Sequence, residues 1–167
     1  MVKAAVKSVT SFADILDTPS VDIVRPMPTP VGLYLAMVKG NYEEGKTSNS
    51  QTDYADFTLG FLEAQDGVDE DDLATFLKQS DGQMAKLTDK TIKYRMMWHT
   101  PGTVYRLKKF LNDLGIPEKD EDNNNLTLRE RMQYAPNCQV LIHIRHKAFQ
   151  DSDSMFAEID RTLKVQD

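Results

Sequence analysis

Three segments of the sequence alternate apolar and polar side chains with a period of two. They run from Tyr54 to Ala64, from Thr91 to His99 and from Cys138 to Lys147. Because successive side chains of a β-strand point to opposite faces of a sheet, this alternation predicts three half-buried strands. The rest of the chain must therefore fold around a sheet.

Two further strands and three helices are predicted around these segments. The apolar run Val31–Lys39 predicts the first strand, and Phe156–Val165 predicts the last. Helices are predicted over Asp69–Lys78, after the N-cap residue Thr100, and after the capping box Thr127–Glu130. The strand order, with helices between the third and fourth strands, is that of an OB-fold.

The predicted fold class is mainly β with inserted helices, as an OB-like five-stranded barrel with a helical insertion between strands 3 and 4. A parallel α/β fold would need a helix between the first two strands, where the sequence has only a polar loop. Residues 1–30 are predicted to be an extended N-terminal segment, because four prolines exclude a long helix and only Ser11–Leu16 has the pattern of a helical turn. Residues 31–167 are predicted to form a single OB-like domain.

Length and composition limit the class of protein. The chain has 167 residues, a single cysteine (Cys138) and no apolar stretch as long as a membrane span. One cysteine excludes an intrachain disulfide, and the lack of a span predicts no membrane partner. These features predict a cytoplasmic protein.

Residues 40–47 match the phosphate-binding loop G-x-x-x-x-G-K-[ST] of nucleotide hydrolases. That loop functions only between a strand and a helix N-terminus. Here a polar cluster and then an alternating strand follow Thr47, while Glu43 and Glu44 would place negative charge beside the phosphates. The segment is therefore predicted to be the hairpin loop between the first two strands, and neither a nucleotide cofactor nor catalysis is expected.

Metal ligands are not predicted either. The residues with suitable chemistry lack the paired spacing of zinc sites: His99, His143, His146 and Cys138. Asp120–Asn124 has the first three ligand positions of a calcium loop, but Asn125 replaces its glycine and Arg131 its bidentate acid. We expect no bound metal and no cofactor.

Basic residues are concentrated in one part of an acidic chain. The formal net charge is −6, whereas residues 86–111 carry seven basic side chains and one acidic one, a net +6. A groove for single-stranded nucleic acid combines such cations with aromatic residues on which bases stack.

We therefore predict a nucleic-acid-binding face on the outward side of strands 3 and 4. The predicted phosphate contacts are Lys93, Arg95, His99, Arg145 and Lys147. Tyr54 and Trp98 are predicted to stack on bases, with Tyr42 as a further candidate, and Lys46 to close over the strand from the hairpin loop. The side chains of Ile92, Tyr94, Met96 and Trp98 point the other way along the third strand, and this set is predicted to face the core, with Trp98 at the end of the strand.

Four features of the chain resemble those of a known family: the opening Pro28–Tyr34, the long polar hairpin loop, the basic third strand and the helix Val104–Gly115. Together they make residues 28–165 similar in layout to phage-encoded single-stranded DNA-binding proteins of the OB type. The resemblance implies a non-enzymatic protein that coats single-stranded DNA in replication or recombination. It also implies action in the host-cell cytoplasm, replication or recombination proteins as partners, and an ability to form homo-oligomers. The final residues, Arg161–Asp167, lack the acidic character through which many such proteins recruit partners.

A second interpretation stays open at the level of sequence. The chain could be a protein-interaction or structural assembly module that binds no nucleic acid. Its docking face would then be the acidic helix Asp69–Lys78. A nucleotide hydrolase ranks third.

Overall fold

The computed structural model describes residues 12–23, 26–81, 85–149 and 155–166. Its strands are β1 (Gly32–Val38), β2 (Glu43–Lys46), β3 (Asp53–Ala64), β4 (Thr91–Met97), β5 (Gln139–Ala148) and β6 (Met155–Leu163). Its α-helices are α1 (Phe12–Leu16), α2 (Glu70–Asp81), α3 (Pro101–Asp113) and α4 (Leu128–Met132). The prediction of a mainly β protein with inserted helices is confirmed.

The strands form one antiparallel sheet around the long strand β3. Along one edge, β3 pairs first with β2 and then with β1, while β4 pairs along its other edge. The sheet continues from β1 to β5 and from β5 to β6. Within the described residues no hydrogen-bonded ladder joins β4 to β6, so the sheet is open there.

The gap between β4 and β6 is lined by chain from outside the sheet. Pro26, Pro28 and Thr29 lie there beside Phe76 of α2, facing Ile92 of β4 and residues 155–157 of β6. The main-chain N–H of Met27 donates to the side chain of Gln79 on α2 at 3.0 Å. Residues 26–29 and α2 thus cover the place where the two end strands approach each other.

The proline-rich entry into β1 is held by polar contacts. The Tyr34 hydroxyl donates to the Pro30 carbonyl at 2.8 Å, and His146 Nε2 lies 2.8 Å from the Thr29 carbonyl. Gly32 has φ of +135°, and a Cβ there would lie 2.5 Å from Val68 Cγ2 and 2.8 Å from the Val68 nitrogen. Only glycine lets the loop before α2 pack this closely on the start of β1.

The inward side chains of the alternating segments form the core. On β3 these are Ala55, Phe57, Leu59 and Phe61; on β4, Tyr94 and Met96; on β5, Val140, Ile142 and Ile144. Helix α3 adds Leu107, Phe110 and Leu111. The Phe110 ring packs edge-on against Phe57 and Tyr94, with both centroid separations 5.0 Å. The predicted inward set of the third strand is confirmed, with Ile92 and Trp98 partly buried at the margin of the core.

Polar contacts hold both ends of α3, and the predicted N-cap residue Thr100 provides the first of them. The Thr100 side chain accepts a hydrogen bond from the Thr103 N–H at 3.2 Å, as an N-cap does. Beyond the other end, buried Arg131 of α4 donates to the Ile116 carbonyl at 2.6 Å and to Asn112 at 2.7 Å. Arg131 thereby holds α4 against the chain that leaves α3.

The sequence predicted five strands, and the sheet contains a sixth. Residues Glu43–Lys46, predicted as loop, form β2 and pair with Asp53–Asp56 of β3. Glycine, glutamate and lysine have low strand propensity, so nothing local marks this strand. The pairing with β3 stabilises it.

No helix among the described residues is both long enough and apolar enough to cross a membrane.

We expect Phe57→Ala to destabilise the protein by about 3–5 kcal/mol, because it opens a cavity against Phe110 and Tyr42. Urea unfolding would measure the change. Tyr105→Ala is the matched control: that ring is 66% exposed, and the loss should stay within about 0.5 kcal/mol. Equal effects of the two substitutions would contradict the assigned core.

Candidate nucleic-acid interface

Tyr54 and Arg95 form a stacked pair on the outward face of β3 and β4. The Arg95 guanidinium carbon lies 3.7 Å from the centroid of the Tyr54 ring. Arg95 also holds Asp56, its partner across the ladder, through Nε–Oδ1 and Nη2–Oδ2 hydrogen bonds of 2.8 and 2.9 Å. This bidentate contact raises the pKa of Arg95 and fixes the plane of its guanidinium. The result is a flat cationic platform whose side chain is 46% exposed.

Gly45 gives Tyr54 the room to lie across the strands. The two residues are cross-strand neighbours, and a Cβ at position 45 would lie 2.6 Å from the Tyr54 hydroxyl and 2.7 Å from Cζ. Any larger residue would push the ring away. This glycine of the loop motif thus serves the packing of an aromatic side chain.

The geometry of residues 40–47 differs from that of a phosphate cradle. Residues 43–46 are extended and pair with β3, so their backbone belongs to a ladder. After Thr47 comes a tight turn, closed by a hydrogen bond from the Gln51 N–H to the Thr47 carbonyl, and then β3. Among the described residues the element that follows this loop is the strand β3 and not a helix, as predicted from the sequence.

Trp98 is the wall shared by two grooves. It follows the last residue of β4, and its partly buried ring packs against the core cluster. On one side is a polar groove of about 390 Å³, which we call the hairpin groove, lined by Glu44, Gly45, Lys46, Asp53, Tyr54, Trp98 and Arg129. On the other is an apolar groove of about 590 Å³, which we call the helix groove, lined by Trp98, His99, Thr100, Pro101, Val104, Tyr105, Lys108 and Leu128.

Carboxylates neutralise the cations of the hairpin groove. Lys46 Nζ lies 2.6 Å from Asp53, and Arg129 Nη1 lies 3.1 Å from Glu44. The hydrogen bond to Glu44 raises the pKa of Arg129. Together with the Arg95–Asp56 pair, this means that Lys46, Arg129 and Arg95 each have an anionic partner. An approaching phosphate would therefore exchange with a carboxylate.

The structure brings together five of the eight residues predicted from the sequence. Lys46, Tyr54 and Trp98 share the hairpin groove, Arg95 stacks on Tyr54, and exposed His99 lines the helix groove. Lys93 is exposed two residues before Arg95, on the same face of β4, beside Thr58 of β3.

Arg145 and Lys147 lie elsewhere, on β5, which β3 and β1 separate from β4 in the sheet. Arg145 is held by Glu158 at 2.8 Å and Asp160 at 3.2 Å, and the hydrogen bond to Glu158 raises its pKa. Lys147 is exposed and pairs with Phe156 of β6. Neither residue lines either groove around Trp98.

Tyr42 is partly buried and packs on Phe57 with the ring centroids 5.7 Å apart, so it belongs to the edge of the core.

Three further groove residues were not predicted from the sequence. Tyr105 and Lys108 lie on the outward face of α3, and Arg129 lies in α4. The spacing Pro101, Tyr105, Lys108 could have revealed the first two, since it places them on one helical face.

Within the described part of the chain, no three histidine, cysteine or acidic side chains are placed to hold a metal ion. Asp120, the first position of the calcium-like segment, instead accepts hydrogen bonds from the main-chain N–H groups of Asp122 and Asn124, both at 2.9 Å.

In comparisons with known proteins, no family model matches this chain, and no curated protein sequence gives a significant match. The function must therefore be inferred from the geometry of the two grooves.

We expect Gly45→Ala to destabilise the protein by about 1–3 kcal/mol, because the new methyl group overlaps the Tyr54 ring. Without that overlap, alanine in a strand is better than glycine by about 0.5–1 kcal/mol, so the sign of the change is informative. Chemical denaturation would measure it.

The same substitution in a Tyr54→Ala background should be neutral or stabilising, since the overlapping ring is gone. Gly102→Ala is a second control, because its Cβ would meet only Thr100 Oγ1 at 3.8 Å. Destabilisation by Gly45→Ala that persists without the Tyr54 ring would contradict the assigned packing.

Proposed function

We propose that this protein binds single-stranded DNA without enzymatic activity. The observation that carries the proposal is the position of Trp98 between two grooves, beside the exposed Tyr54–Arg95 stack. Aromatic rings and guanidinium planes both stack on unpaired bases, and every base offers a π-face. Such a row of platforms suits a single strand, whose bases are free to unstack.

We also propose that the sheet is a variant of the OB barrel. The order β4-β3-β1-β5-β6, with β4 and β6 at its two ends, supports this assignment. In OB-folds the second and third strands and the loop before the second strand bind oligonucleotides. Here those parts correspond to β3, β4 and the hairpin that contains β2. They are also the elements that hold the Tyr54–Arg95 stack and the hairpin groove.

The bound strand would use the two kinds of side chain differently. Bases would stack on Trp98 and on the Arg95 guanidinium, because Arg95 already covers part of the Tyr54 ring. Phosphates would contact Lys46, Arg129 and the exposed Lys93. His99 would meet a phosphate at the entry to the helix groove. Arg145 and Lys147 stay predictions from the sequence, and this site does not need them.

The biological setting follows from the same proposal and from the resemblance in layout. The protein would cover single-stranded DNA during phage replication or recombination, in the cytoplasm of the host cell. Replication or recombination proteins and further copies of the chain are the partners to seek.

We expect a labelled oligo-dT to bind, and Trp98→Ala to weaken binding about tenfold or more, since one base stack contributes about 1–3 kcal/mol. Fluorescence polarisation would measure affinity. Trp98 is the only tryptophan in the chain, so quenching of its emission would report contact at this site directly.

Tyr134→Ala is the control, because that exposed tyrosine lines neither groove. Absence of oligonucleotide binding at low salt would overturn the proposal and favour the interaction module. Binding that leaves Trp98 emission unchanged would overturn the assigned site.

We expect Asp56→Asn to tighten DNA binding, because it releases Arg95 from a charged partner. The logarithm of the binding constant falls linearly with the logarithm of the salt concentration. For single strands the slope of this line is about −0.7 for each phosphate that the protein neutralises. The salt slope should therefore be shallow in the native protein and steepen by about 0.7 in the variant.

Glu70→Gln in the exposed first turn of α2 removes the same charge away from the grooves and controls for general repulsion. Equal effects of the two substitutions would show that Asp56 does not act through Arg95.

A further inference from the structure

The helix groove has the size and the lining of a binding site. Its volume of about 590 Å³ is within the roughly 300–1,000 Å³ typical of ligand sites, and its walls are mostly aromatic and aliphatic. Helix α3 packs on the core through Leu107, Phe110 and Leu111. Tyr105 and Lys108 of the groove lining are exposed on the same helix, so the core does not require these two side chains.

Tyr105 is a large aromatic residue of this groove that the core does not bury. It is 66% exposed and lines the groove together with Trp98. A large aromatic ring in water contributes little to folding, whereas an exposed ring beside a second aromatic residue can hold a planar ligand by stacking.

The charges around the helix groove favour an anion. Lys108 and His99 are among its lining residues, and no acidic side chain is. The carboxylate paired with Lys108, that of Glu118, is 4.0 Å from its Nζ, whereas the ion pairs of Lys46 and Arg129 measure 2.6 and 3.1 Å. In the hairpin groove, by contrast, Glu44 and Asp53 lie beside the cations. A phosphate can reach Lys108 without displacing a tightly held partner.

From these observations we propose that the helix groove is a second nucleotide subsite, which takes unstacked bases of the same single strand after it has passed Trp98. Bases would stack on Tyr105 and on the far side of Trp98, and Lys108 would contact the connecting phosphate. The inference rests on the proposed function, because Trp98 lines both grooves and a strand bound in one would reach the other beside it. It adds Tyr105 and Lys108 to the binding residues.

The first test is the dependence of affinity on oligonucleotide length, over about 4–16 nucleotides of dT. For the shortest oligonucleotide that the native protein binds, Tyr105→Ala should keep the affinity within about twofold of the native value. For the longest oligonucleotide, the same substitution should weaken binding about tenfold. Lys108→Ala should act in the same direction, and Tyr134→Ala should do neither. Thermal unfolding of each variant would establish that it is folded, which the exposure of Tyr105 favours.

The second test moves the only indole of the chain into the helix groove. In Trp98→Phe combined with Tyr105→Trp, emission comes from position 105 alone. Its quenching should begin at a greater oligonucleotide length than the quenching of Trp98 in the native protein. Phenylalanine at position 98 keeps a ring at the junction of the two grooves.

The outcomes separate this inference from the proposed function. Loss of binding in Trp98→Ala with no effect of Tyr105→Ala at any length would overturn the second subsite and leave the first intact. Equal loss at every length would place Tyr105 in the first site and also overturn the inference. Failure of the native protein to bind any oligonucleotide would overturn both proposals and leave the helix groove to a protein ligand.

Discussion

The edge-on packing of Phe110 against Phe57 and Tyr94 is the contact on which the rest of the molecule depends. It joins α3 to β3 and β4 in the buried core, with both centroid separations 5.0 Å. Because α3 is fixed there, its first turns lie beside Trp98 at the end of β4, and the helix groove exists between them. Three rings that touch no proposed ligand thus determine the shape of the candidate interface.

Carboxylates determine its electrostatics to a similar degree. The basic third strand and hairpin carry Arg95 and Lys46, yet Asp56 and Asp53 lie within 2.9 Å of them. A face built this way offers stacking platforms before it offers free positive charge. It would discriminate against anions that lack bases, since those would exchange ion pairs without gaining any stacking.

The strands of the core could be predicted because their signal is local. Phe57, Leu59 and Phe61 repeat every second residue, and the same period marks β4 and β5. The short strand β2 could not, because Glu43–Lys46 has no apolar face and is extended only through its pairing with β3. The partner of Arg95 was also beyond reach. Asp56 is 39 positions away, and only the register of β3 against β4 brings the two together.

The sequence by itself determined a mainly β protein, the inward face of each long strand and the caps of α3 and α4. Periodicity and capping act between residues a few positions apart, so they can be recognised in the sequence itself. Only the tertiary structure decided that Tyr54 lies between Gly45 and Arg95, that Trp98 lines two grooves, and that Tyr105 and Trp98 line one groove together. Those residues come from different elements, and strand register and helix docking bring them together.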